Sequence, residues 1–153
     1  MTRILVIALV AAGAAAPMLA AQEKKIERSD LPAAVEKTVA AQSQGAAIRG
    51  FSMETEGGTT YYEVEMMIKG HTRDVSMTAD GAVTEIEEQV TMASLPSAVR
   101  AGLRAAAGKG TIGKIESLTK SGKLVAYEAH VTTHGKRSEI QVGPDGAPLA
   151  HEE

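Results

Sequence analysis

The pentapeptide Leu-Pro-Ala-Ala-Val at residues 31–35 returns as Leu-Pro-Ser-Ala-Val at residues 95–99, 64 positions later. Sliding the second stretch along the first extends the match. At this offset Leu31, Pro32, Ala34, Val35, Val39, Ile48 and Phe51 meet Leu95, Pro96, Ala98, Val99, Leu103, Ile112 and Ile115. At an offset of 65, Tyr62 and Glu63 meet Tyr127 and Glu128, Gly70 meets Gly135, Val75 meets Ile140, and Asp80-Gly81 meets Asp145-Gly146. The second copy thus carries one extra residue in the part that matches Phe51 to Tyr62. Two copies are too few for a solenoid, so the pattern reads as a tandem pair.

Each copy opens with helix signals. Asp30 and Ser94 suit a helix cap, Pro32 and Pro96 suit a first turn, and apolar residues follow four apart. Leu31, Val35 and Val39 form one narrow stripe, and Leu95, Val99 and Leu103 form its counterpart. Gly45 and Gly108 are the expected stops.

Strands and tight turns follow. Gly57-Gly58, Lys69-Gly70 and Asp80-Gly81 are hairpin signals. Two-residue loops at these sites pair Phe51 with Val64, Met53 with Tyr62, Val64 with Val75, Tyr62 with Met77, and Val75 with Ile86, and all three turns agree on one apolar face. In the second copy, His134-Gly135 pairs Ala129 with Ile140 and Tyr127 with Val142, and Asp145-Gly146 pairs Val142 with Leu149. The extra residue is expected in the hairpin Lys-Ser-Gly-Lys at residues 120–123, lengthened so that Ile115 faces Ala129. The reading is an α+β fold: a tandem repeat of a helix packed on a four-stranded antiparallel meander sheet, α-β-β-β-β twice, over residues 29–90 and 93–150.

The N-terminus has the layout of a secretory signal peptide over residues 1–21: Arg3, an uncharged run from Ile4 to Ala21, and small residues before a charged segment. The competing reading is a membrane span, but Gly13, Pro17 and the alanine-rich second half favour the signal. The cut is expected after Ala20 or Ala21, leaving no membrane span and a periplasmic or secreted chain.

Composition narrows the function. The chain carries a net charge of −3 and no cysteine. It has no field for gathering nucleic acid, and thiol or cysteine-metal chemistry is excluded. The absence of a cysteine after the signal also removes a lipoprotein anchor.

A "LP.AV" helix start, second strands "YYEVEM" and "AYEAHV", and an Asp-Gly turn after the third strand, all in tandem, resemble the PepSY-like family, which is similar in fold to the beta-lactamase inhibitor protein. The resemblance covers residues 30–150. It implies an exported binding or regulatory module and carries over no catalytic residue. Inhibition in the more distant relative uses aromatic anchors on an open sheet. Here the aromatics are Phe51, Tyr61, Tyr62 and Tyr127, and all but Tyr61 face the expected core.

No catalytic constellation is present. No nucleophile motif, phosphate loop or dinucleotide fingerprint occurs, and no cofactor is implied. His130 and His134 have helical metal-ligand spacing but lie in and after a strand, where four residues span about 13 Å. His130 therefore reads as a cross-strand neighbour of Glu139, and His134 as a turn residue; no metal site is expected. Thr78 to Glu88 superficially resembles a calcium loop, but a hairpin Asp-Gly explains it better.

The surface with character is the outer face of the first sheet. Tyr61, Glu63, Glu65, Asp74 and Glu85 should point away from the helix. Glu65 opposes Asp74, and like charges directly opposed weaken a sheet. The plain reading is a solvated polar face; the functional one is a docking face for a basic protein partner, with Tyr61 as its aromatic anchor. Glu128, His130 and Glu139 on the second sheet form the fallback surface. The expected function is an exported non-catalytic binding or regulatory module acting by protein docking or inhibition in the periplasm. The alternative is weak divalent-cation binding or buffering in the cell envelope.

Overall fold

The computed structural model describes residues 23–151 and 153. The expected signal peptide lies outside the described residues. Among the described residues, no helix is long and apolar enough to cross a membrane.

Among the described residues, eight antiparallel strands run in chain order across a single open sheet: β1 (Lys24–Ile26), β2 (Ala47–Glu56), β3 (Thr59–Ile68), β4 (His71–Thr78), β5 (Val83–Val90), β6 (Thr111–Lys120), β7 (Lys123–Thr133) and β8 (Lys136–Val142). Helix α1 (Ala33–Gln42) lies between β1 and β2 in sequence, and α2 (Ser97–Ala107) between β5 and β6. The expectation of two separate helix-plus-four-strand units is corrected: this is one domain built on one sheet. β5 and β6 join edge to edge, from Glu85 opposite Lys120 to Val90 opposite Ile115. The physical reason is that two separate four-stranded sheets would have four open edges of backbone donors and acceptors, and joining β5 to β6 removes two of them.

The second half also lacks its fourth strand. Pro144 and Pro148 cannot donate to a ladder, and only a bridge between Val142 and Pro148 forms, in place of the expected Val142–Leu149 pair. β1 is the unexpected member; it pairs Ile26 with Phe51 and Lys24 with Met53.

Within the hairpins the register follows the turn arithmetic. Phe51 faces Val64, Val64 faces Val75, Val75 faces Ile86, Ile115 faces Ala129, and Ala129 faces Ile140. The extra residue of the second copy is placed differently. Lys120 pairs with Lys123 around a tight Ser121-Gly122 turn, and Val125 forms a bulge between the Thr119–Leu124 and Leu118–Ala126 pairs.

The helices begin two residues later than their polar caps suggest. Pro32 and Pro96 occupy the cap positions, while Asp30 and Ser94 close short 3₁₀ turns before them. Asp30 accepts from the Glu27 amide at 3.0 Å, and Thr91 accepts from the Ser94 amide at 3.2 Å. Both helices pack on the same face of the sheet. Val35 and Val39 of α1 cover Val64, Met66, Val75 and Met77; Leu95 and, from α2, Val99 and Leu103 cover Ile115, Ala129 and Val142. Full burial of each such aliphatic side chain is worth about 1.5–3 kcal/mol.

The repeated Asp-Gly turns seat each half on its helix. Asp80 accepts from the Ala82 amide and Asp145 from the Ala147 amide, fixing the turns. Gly81 then rests on Ala34 and Gly146 on Ala98, the two matching positions of the repeated pentapeptides.

Candidate functional site

Because strand residues alternate, the residues between the core positions share the opposite face, which is helix-free among the described residues. Tyr61, Glu63, Glu65, Asp74 and Glu85 all lie on it, half-buried. So do Glu128 and His130, also half-buried, and the exposed Glu139. Since the sheet is continuous, the two surfaces expected to be alternatives are one surface.

Register decides how the carboxylates meet. Glu65 stands opposite Asp74, Asp74 opposite Glu87, and Glu116 opposite Glu128. Carboxylate oxygens of Asp74, Glu87 and Glu116 come within 4.8 Å of one another at the middle of the sheet. Glu87 and Glu116 were not singled out from the sequence. Glu87 follows from the same turn arithmetic that pairs Val75 with Ile86. Glu116 does not, because its place beside the first half depends on the β5–β6 pairing.

Glu116 is 1% exposed, the most buried charged side chain among the described residues. Its Oε1 lies 2.6 Å from Lys114 Nζ, and its Oε2 lies 3.8 Å from His130 Nε2. Glu139 Oε1 approaches the same imidazole nitrogen at 3.6 Å. Gln141 donates to Glu128 at 2.9 Å. That bond does not offset burial, which with the negative charges of Glu139, Glu87 and Glu116 pushes the Glu128 carboxyl up to about 7.

The same signature recurs elsewhere on the face. Burial, then the charge of Glu87, holds Glu85 above the usual carboxylate range, although Lys120 Nζ stands 3.7 Å away. Burial also raises Glu54, helped by Glu56 and Glu23. Near Tyr61 a shallow cavity of about 70 Å³ opens between Glu23, Ser52, Glu54, Glu63 and Ser76. Three carboxyl groups on one face are thus held above the usual carboxylate range, chiefly by burial and in smaller part by neighbouring negative charge.

No family model and no curated protein sequence matches the chain. Solved structures do match. A BLIP-like protein from Bacteroides fragilis superimposes with a TM-score of 0.59 at 20% identity, covering 80% of this chain and 85% of that one. A candidate periplasmic protein from Bacteroides eggerthii gives 0.65 at 18% identity, over 78% and 86% of the two chains. A DUF2874 family protein from Bacteroides uniformis gives 0.62 at 17% identity, over 77% and 86%. The chain has the fold that these BLIP-like and DUF2874 proteins share.

Proposed function

We propose that the protein is an exported, non-catalytic binding module of PepSY-like type that docks a basic protein partner on the helix-free face of its sheet, in the periplasm. The observation that carries this reading is the row of like charges directly opposed across strands: Glu65 with Asp74, Asp74 with Glu87, and Glu116 with Glu128. Like charges so opposed weaken a sheet; Lys114 partly compensates Glu116, and Asp74 and Glu87 have interactions of their own, so a basic partner would act on the repulsion that remains. Tyr61 supplies an aromatic anchor at one end of the row, beside the shallow cavity. Exported location is supported by the signal-like N-terminal sequence and by the candidate periplasmic protein that shares the fold. The test is capture from periplasmic extract by the wild-type protein and by Glu63→Lys/Glu65→Lys. The same partner should be retained by the first and lost by the second, while both melt alike. Equal retention by the variant rejects docking on this face.

One observation favours a second reading, weak divalent-cation binding: the meeting of the Asp74, Glu87 and Glu116 oxygens. Calcium titration followed by melting separates the two, because a cation site raises the melting temperature and a docking face need not.

A further inference from the structure

We propose that Glu116, Glu128 and His130 form a site for a divalent transition metal of the zinc class. The pairing of β6 with β7 sets Glu116 directly opposite Glu128, and His130 follows two residues along the same strand face. One donor atom from each of the three lies within 4.8 Å of the others. Glu116 divides its oxygens: Oε1 takes Lys114, and Oε2 is turned to the imidazole. His130 Nε2 is shielded from solvent and has no hydrogen-bond partner among the described residues, although carboxylate oxygens of Glu116 and Glu139 stand 3.8 and 3.6 Å away.

These separations suit a shared ion better than direct bonds. They exceed hydrogen-bond reach. Ligands held about 2.1 Å from one metal, with angles between tetrahedral and trigonal, stand roughly 3.4–3.6 Å apart. Donor atoms within 4.8 Å of one another must close by up to about 1.4 Å to reach that spacing, and Glu128 must keep or release its bond from Gln141 as they do. The mixed donor set chooses the metal, since imidazole suits zinc and its neighbours whereas calcium takes oxygen alone. His134 takes no part; it occupies the β7–β8 turn at φ 51. The spacing of two histidines in one strand is therefore irrelevant, and the ligands come from two neighbouring strands. The site shares Glu116 and Glu128 with the proposed docking row, but its test does not turn on docking: the Glu63→Lys/Glu65→Lys variant, whatever its partner capture, keeps all three ligands.

The experiment is calorimetric titration of the untagged protein with zinc chloride, paired with thermal melting with and without zinc. One zinc per chain and a rise of several degrees in Tm are expected. His130→Ala should weaken binding at least about tenfold while melting like the wild type in EDTA, and Glu56→Gln, at an exposed position at the end of β2, should bind zinc unchanged. Cobalt(II) should give visible absorption bands that His130→Ala abolishes. Absence of binding up to about 1 mM zinc, unchanged affinity in His130→Ala, or displacement of zinc by an equal concentration of calcium overturns the assignment.

Discussion

Gly146 lies so close to Ala98 that a Cβ added to it would stand 2.2 Å from the Ala98 carbonyl oxygen. Gly81 stands in the same relation to Ala34, at 2.6 Å. Two demands meet at each glycine, a positive φ and a seat against helix backbone. Gly135 has nearly the same φ, 79 against 81, but nothing within 4 Å of its added Cβ. Gly135→Ala should therefore cost about 1–2 kcal/mol for the left-handed backbone alone. Gly146→Ala should cost at least about 3 kcal/mol, because helix and turn must separate. Urea denaturation of both variants checks the difference; equal costs would mean that the turns do not seat the helices.

Val64 and Ala129 are both fully buried under their helices, though one is larger. Val64→Asp and Ala129→Asp each place an uncompensated carboxylate in an apolar core, costing several kcal/mol. Both variants should be unfolded or aggregated by circular dichroism and gel filtration. Glu63→Asp, on the other face, should melt as the wild type does.

The joined edges make the halves interdependent. Separation at residue 92 exposes the facing edges of β5 and β6 and leaves each half a small core. Fragments 23–92 and 93–153 should melt broadly and at lower temperature than the intact chain. Sharp melting of both at the intact temperature would contradict a single cooperative sheet.

This pairing also marks how far the sequence could be read. Hairpin registers were available because turn residues and alternation are local: Gly57-Gly58 and Lys69-Gly70 each fix their two strands. β5 and β6 are separated by α2, and no turn signal specifies their register. The neighbourhood of Glu116 was hidden for that reason. β1 is three residues long and mostly charged, too short for alternation to register. The extra residue is expected in a longer loop and found as a bulge at Val125, because the two accommodate an inserted residue equally in sequence; the positive φ angles of Ser121 and Gly122 show that the tight turn is kept.

Proton linkage should run opposite to ordinary acid denaturation between neutral pH and about 5. Glu54, Glu85 and Glu128 all have raised folded-state values. A carboxylate raised on folding binds protons more tightly in the native state, so its contribution favours folding at low pH and is lost as pH rises through the folded value. For Glu128 that window ends near 7. Metal-free protein in EDTA should gain thermal stability from pH 8 to pH 5, and Glu128→Gln should remove much of the gain. Below this range Asp80 acts oppositely, because its bond from Thr78 holds its value low and is lost on protonation. A wild-type Tm that falls steadily from pH 8 to pH 5 would show that folding does not hold these carboxyls above their ordinary range.

Docking on the acidic face is tested most directly by measuring the affinity of the purified captured partner for two charge-reversed proteins at low and high salt. Glu63→Lys/Glu65→Lys changes the helix-free face; Lys37→Glu/Arg104→Glu changes the helices on the opposite face. Binding should weaken as salt rises. It should be lost by the first variant and kept by the second, with both melting as folded proteins. Loss on the helix side with full binding by Glu63→Lys/Glu65→Lys would contradict the account, and would move the interface to the other side of the sheet.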